Sequence, residues 1–145
     1  PVAILLDQPA FGIMLLNSEP LSEDLGYLTL RLGFGGTMLW QHGWPKLMHF
    51  SERMDSFADP FGISSPVSLV LILIAEVLCS ALVMLGLWTR IACIPLIIAM
   101  AVIIFMIDRG QPLGESELAL VYLVAFSALL LTGSGRFAID RIAFK

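Results

Sequence analysis

One apolar run with an arginine near its middle limits what this chain can fold into. Residues Leu25 to Trp40 read LGYLTLRLGFGGTMLW. At about 1.5 Å per residue a helix over them is about 24 Å long, close to the roughly 30 Å hydrocarbon core of a bilayer. An arginine facing lipid at that depth costs roughly 2.5–3.5 kcal/mol, so Arg31 must face protein, water or an opposing charge. Composition points the same way. Hydrophobic residues make up 58% of the chain and charged residues 14%, against roughly a quarter charged in soluble domains. A formal net charge of -4 without any Lys/Arg run excludes a basic nucleic-acid-binding face. Membrane lipid and other membrane-protein subunits are the expected partners.

The apolar segments predict an all-α polytopic membrane protein, a four-transmembrane-helix up-down bundle with spans at about 25–46, 66–87, 89–107 and 117–132. Residues 25–145 form one domain. Residues 1–24 read as an interfacial or loosely ordered lead-in, because Asp7 and Pro9 interrupt its moderately apolar run, and no basic n-region marks a signal peptide. Ser22 is a candidate cap for the first span, with Glu23 and Asp24 suited to its positive end. Gly33, Gly35 and Gly36 leave a flat side for another helix. Pro45 is expected to end or kink the helix. Should the helix continue through it, Arg31, Gly35, Met38, His42, Lys46 and His49 fall at spacings of 4, 3, 4, 4 and 3 on one face.

After the first span, Phe50, Met54 and Phe57 alternate with Ser51, Glu52, Arg53 and Asp55, the pattern of a short interfacial helix. Asp59, Pro60 and Gly62 turn the chain back. The second span opens on Ser65 and Pro66 and runs to Leu87. Its one charge, Glu76, lies at its centre, so antiparallel packing of the first two spans predicts a buried Arg31–Glu76 ion pair. Trp88 makes a tight corner into the third span, in which Pro95 interrupts the ladder. Cys79 and Cys93 differ in depth by roughly 7 Å at 1.5 Å per residue and lack CxxC spacing, so they read as small core residues without a disulfide. Gly133, Ser134 and Gly135 stop the fourth span, and RFAIDRIAFK comes next as a short basic amphipathic tail. Arg90, Arg136, Arg141 and Lys145 on one side, against Lys46, Arg53 and Arg109 on the other, place both termini in the cytoplasm of a cytoplasmic (inner) membrane protein.

Four strings in order, RLGFGGTMLWQHGWPKL, Glu76 followed by LGLWTRIA, ESELALVYLV, and GSGRFAIDRI, resemble the DoxX family of small four-span membrane proteins. The family includes the small membrane subunit of thiosulfate:quinone oxidoreductase and members linked to thiol or oxidative-stress complexes. The resemblance implies a polar cluster of Arg31, His42, Lys46, Glu76, Glu117 and Tyr122. Where family members often show histidine at the end of the third span, this chain has Asp108.

These readings imply a membrane subunit associated with quinone-linked or thiol/sulfur-linked oxidoreduction, whose intramembrane cluster takes a small ligand or transfers protons. Quinone is the implied ligand, no covalently bound cofactor is expected, and His42 is the natural proton carrier near neutral pH. The chain is not expected to be catalytic alone. His42 and His49 share one segment and offer no facing pair for haem, no cysteine cluster offers iron–sulfur ligation, and no metal motif occurs. The alternative is a non-catalytic structural or assembly subunit of a larger respiratory or photosynthetic complex, with Arg31 and Glu76 fixing helix register. A small-solute or proton path through the bundle is a third reading.

Overall fold

The computed structural model describes residues 22–110 and 116–143. The expected lead-in over residues 1–24 lies almost wholly outside them, as do part of the loop after the third helix and the last two residues of the tail. Every regular element among the described residues is helical. Helix α1 (residues 23–48) starts where Ser22 caps it, its hydroxyl accepting the Leu25 N–H at 3.3 Å, with Glu23 and Asp24 in the first turn. The chain does continue through Pro45. Two stretches of α1, Arg31–Gly35 and Met38–Gly43, are wound wider than an α-helix. At the second, the Trp44 N–H reaches back five residues to the Leu39 carbonyl. The ladder is therefore already displaced where proline lacks its donor.

That widening changes which residues face inward. Arg31, Gly35, Met38 and Gly43 are buried, at spacings of 4, 3 and 5, whereas His42 is half-buried and His49 exposed. The inward stripe departs from the expected face at the wide turn. Gly43, rather than His42, meets the neighbouring helix.

The short helix α2 (Phe50–Arg53) is a single turn. Around it Phe50, Met54 and Phe57 are half-buried while Ser51, Glu52, Arg53 and Asp55 are exposed, as the amphipathic pattern implies. In the loop beyond it the Asp59 carboxylate accepts the Ile63 N–H at 3.1 Å and the Ser68 hydroxyl at 2.9 Å. Desolvation works to raise its pKa, but hydrogen bonds from Ser68 and the amides of Ile63, Ser64 and Gly62 outweigh it and hold the carboxyl below its ordinary 3.8. A depressed folded pKa contributes stability that is present above the unfolded value and lost as pH falls through the folded one. The loop is therefore expected to loosen as pH falls below 3.8. Limited proteolysis between residues 54 and 64 checks this: cleavage should rise with acid in the native protein and be pH-independent in Asp59→Asn.

Helix α3 (Ser65–Leu85) opens on Ser65 and Pro66 and ends at Leu85, two residues before the expected Leu87. Gly86 takes the left-handed conformation (φ 69°), and the Leu87 N–H returns to the Leu82 carbonyl at 2.9 Å. Helix α4 (Thr89–Ile107) comes at once, then α5 (Glu117–Thr132) and the short α6 (Ile139–Ala143). Helices α3 and α4, at 21 and 19 residues, are long and apolar enough to cross a membrane, and α5 is a shorter apolar helix.

The four long helices pack as antiparallel neighbours. Gly35 lies against Met84 and Ser80, and Gly43 against the Glu76 carbonyl, where an added Cβ would sit 2.7 Å from oxygen. Small side chains set the spacing elsewhere too: Ala75, Cys79, Ala92, Cys93, Ala99 and Ala119 share the core with Met38, Leu96, Tyr122, Phe126 and Leu129. Both cysteines are buried and free. The outside is apolar as well. Phe105 is 70% and Leu131 79% exposed, amid many other outward Ile, Leu and Val side chains. So extensive an apolar surface fits lipid contact rather than water.

Candidate functional site

A buried ion pair between α1 and α3 joins Lys46 to Glu76. Lys46 Nζ donates to Glu76 Oε1 and Oε2, both at 2.6 Å, and Glu76 is 1% exposed against 18% for the lysine side chain. Glu76 stands in Ile74–Cys79, another widely wound stretch, facing Gly43 of the wide turn in α1. Such turns are frequent at functional sites.

This corrects the expected Arg31–Glu76 pair. The contacts of Gly35 with Ser80 and Met84, and of Gly43 with Glu76, set the register of α1 on α3. That register puts Arg31 beside Gly86. Ten residues of helix separate Gly86 from Glu76, about 15 Å at 1.5 Å per residue. Arg31, 1% exposed, instead donates from Nη2 to the Phe137 carbonyl at 2.6 Å, while Nε and Nη1 have no partner among the described residues. Asp140 supplies its nearby opposing charge. That carboxylate also accepts the Trp88 N–H at 2.9 Å, and the Asp140 N–H donates to the Gly86 carbonyl at 3.1 Å. Arg31 thus belongs to a clamp that ties the tail to the α3–α4 corner.

His42 packs edge-on against Tyr122, ring centroids 5.5 Å apart. Tyr122 is buried, donates its hydroxyl to Thr37 Oγ1 at 3.0 Å, and also meets Phe34 and Phe126. Of the six residues implied by the resemblance, His42, Lys46, Glu76 and Tyr122 line this level of the bundle. Arg31 lies at the other end. Glu117 is exposed at the start of α5 and forms no ion pair among the described residues. Asp108, just after α4, accepts a hydrogen bond from Ser116 Oγ at 2.9 Å and ties the end of α4 to the start of α5.

Sequence reasoning missed Thr37, although its place four residues after Gly33, whose carbonyl it bonds at 2.7 Å, marks a hydroxyl held on the helix. It also missed a cavity of about 440 Å³ between α3, α4 and the returning loop. Phe57, Phe61, Leu71, Pro95 and Ile98 line it, and Lys46 is its one charged lining residue among the described residues. The loop aromatics carried an interfacial signal only; that they roof a space beside Lys46 depends on how the loop folds back. The arrangement suits an amphipathic molecule, with an apolar body in the cavity and a hydrogen-bond acceptor at the ammonium.

No curated protein and no solved structure matches the chain. Glu117 and Tyr122 lie beyond the part of the chain that a family model covers. That model, described as DoxX, matches residues 26–109, more than half of the 145 residues and the stretch that holds Arg31, His42, Lys46 and Glu76, and the chain therefore belongs to the DoxX family and is a membrane protein.

Proposed function

We propose that the chain is a four-span membrane subunit of a quinone-linked or thiol/sulfur-linked oxidoreductase, binding a quinone-like ligand in the cavity beside Lys46 and Glu76. The observation that carries this reading is an ammonium, Lys46, that lines a largely apolar cavity of about 440 Å³ while it is hydrogen-bonded to the buried Glu76 carboxylate behind it. Ligand pockets run from roughly 300 to 1,000 Å³, so the space takes a ring and the first part of a chain, with the rest in lipid. An ammonium carries three N–H donors. Two can serve the oxygens of Glu76 and the third a ligand carbonyl. His42, half-buried and one turn before Lys46, is placed to exchange protons with the aqueous end. Electron transfer belongs to a partner subunit. Helix α1, with its charged ends, and the shorter α5 complete the four crossings. Pairing of Lys46 with Glu76 removes one cation from the side opposite the termini, which favours both termini in the cytoplasm.

A specific observation also favours an assembly role: both Glu76 oxygens are engaged by Lys46, as in a latch between α1 and α3. The discriminating experiment isolates the protein from its native membrane in mild detergent and identifies co-purifying proteins and lipids by mass spectrometry, for wild type and Glu76→Gln. Quinone and redox subunits with the wild type, and loss of quinone alone from the variant, are the expected results. Retention of the subunits with no quinone in either preparation would favour the assembly role.

A further inference from the structure

A second cavity, of about 750 Å³, opens at the far end of the bundle, between the start of α1, the α3–α4 corner, the end of α5 and the start of α6. Its walls mix charges: Arg90, Arg136 and Arg141 with Glu23, Asp24 and Asp140. Two of the carboxylates are engaged. Asp140 accepts the Trp88 N–H, and Asp24 accepts the Arg136 N–H at 2.8 Å with the Arg136 guanidinium 3.9 Å away. Neither Arg90 nor Arg141 enters an ion pair among the described residues. Arg90 and Arg141 are therefore the unpaired cations of the wall, with Glu23 the unpaired carboxylate among the described residues.

The backbone adds donors. Helix α4 begins on this wall without a side-chain cap, because Trp88 turns into it in the left-handed conformation (φ 49°). The first bond of its ladder is Ala92 N–H to Trp88 carbonyl, so the amides of Thr89, Arg90 and Ile91 precede it and have no helical acceptor. A separate observation marks the same wall. Thr89 is 2% exposed, lines the cavity, and its hydroxyl has no hydrogen-bond partner among the described residues. A buried hydroxyl left unpaired is destabilising, and an acceptor oxygen seated at the helix start would give it a partner. Opposite, Gly133 (φ 89°) and Gly135 (φ 73°) hold a tight turn over Arg90, where a Cβ at Gly133 would lie 3.5 Å from the guanidinium nitrogens. Trp88, Ile91 and Phe137 are exposed beside the cavity and give it an apolar rim.

We propose that this cavity binds a phosphate group, carried by a phospholipid headgroup or by a soluble phosphate ester. Arg90 and Arg141 donate charge-assisted hydrogen bonds, the α4 amides and the Thr89 hydroxyl take the remaining oxygens, and the rim lies where acyl chains would leave the site. The inference stands apart from the quinone reading, since it uses no residue of the Lys46–Glu76 level.

The test uses the full chain, freed of lipid in detergent, with its thermal midpoint followed while phosphatidylglycerol, diacylglycerol or glycerol 3-phosphate is added. Phosphatidylglycerol should raise the midpoint saturably and diacylglycerol should not. Arg90→Gln and Arg141→Gln should each weaken apparent affinity about tenfold, equivalent to about 1.4 kcal/mol, while Arg53→Gln at the opposite end leaves it unchanged. Equal stabilisation by glycerol 3-phosphate would assign the site to soluble esters, and its absence to the lipid headgroup; both agree with a phosphate site. Stabilisation by diacylglycerol equal to that by phosphatidylglycerol, or wild-type affinity in both arginine variants, would overturn it. Arg141 is exposed, so its variant keeps the test open should Arg90→Gln not fold. Thr89→Val adds a third reading at the helix start.

Discussion

Lys46→Met is expected to lower the unfolding free energy of the solubilised protein by about 3–5 kcal/mol, and the double variant Lys46→Met/Glu76→Gln to recover most of that loss. Removing one partner of a buried ion pair leaves the other as an uncompensated charge, whereas replacing both removes the charge as well. Glu76 is the more deeply placed partner and has no other hydrogen bond among the described residues. Trp40 and Trp44 stack with ring centroids 6.4 Å apart on the turn before Lys46, so their fluorescence during denaturant titration reports the loosening of this part of α1. A double variant as unstable as the single one would show that the two residues do not act as a pair. The cycle also bears on function. A latch predicts that the double variant keeps its subunit partners, while a ligand site predicts that it keeps them and loses quinone.

The second large effect is expected at the other end of the bundle. Gly86→Ala should destabilise the protein by about 3–5 kcal/mol, through two separate causes. Any residue with a Cβ in the left-handed conformation costs roughly 1–2 kcal/mol, and Gly86 holds φ 69° to let the chain leave α3 and enter α4. The new methyl would also overlap Arg31 Nη1 and come within 2.7 Å of the Ala138 Cβ. Arg31 would have to withdraw from the Phe137 carbonyl, and a hydrogen bond to a charged group contributes about 1.5–3 kcal/mol. Protease sensitivity of residues 133–141 separates the causes. If the clamp is lost, the tail is cut faster in Gly86→Ala and also in Arg31→Met, in which φ at Gly86 is untouched. Unchanged cleavage in both would show that Arg31 does not hold the tail.

Much of this organisation is legible in the residues. The apolar runs and scarce charges mark helices and a lipid-facing surface, because burying backbone in hydrocarbon requires internally satisfied hydrogen bonds. Ser22 marks a helix start through local chemistry, a hydroxyl that accepts an orphan amide. The burial of both cysteines follows from their place within apolar runs. Each of these signals lies within one element or the few residues beside it.

The pairing of charges is a different kind of property. Arg31 and Glu76 are expected to meet because each lies near the middle of its apolar run, but the helices are not aligned centre to centre. Gly35 and Gly43 seat α1 on α3 with Arg31 at the corner and Lys46 at Glu76, and the wide turn at Met38–Gly43 rotates the residues beyond it. A wide turn shifts every later residue around the helix axis, and its place is chosen by the fit of two helices rather than by the propensities of one. The sequence by itself determined a membrane-embedded helical chain, the capped start of its first helix and its supply of buried charges. Only the tertiary structure decided that Lys46 neutralises Glu76 and that Arg31 holds the tail, because partner choice depends on register between helices, which the contacts of both set together.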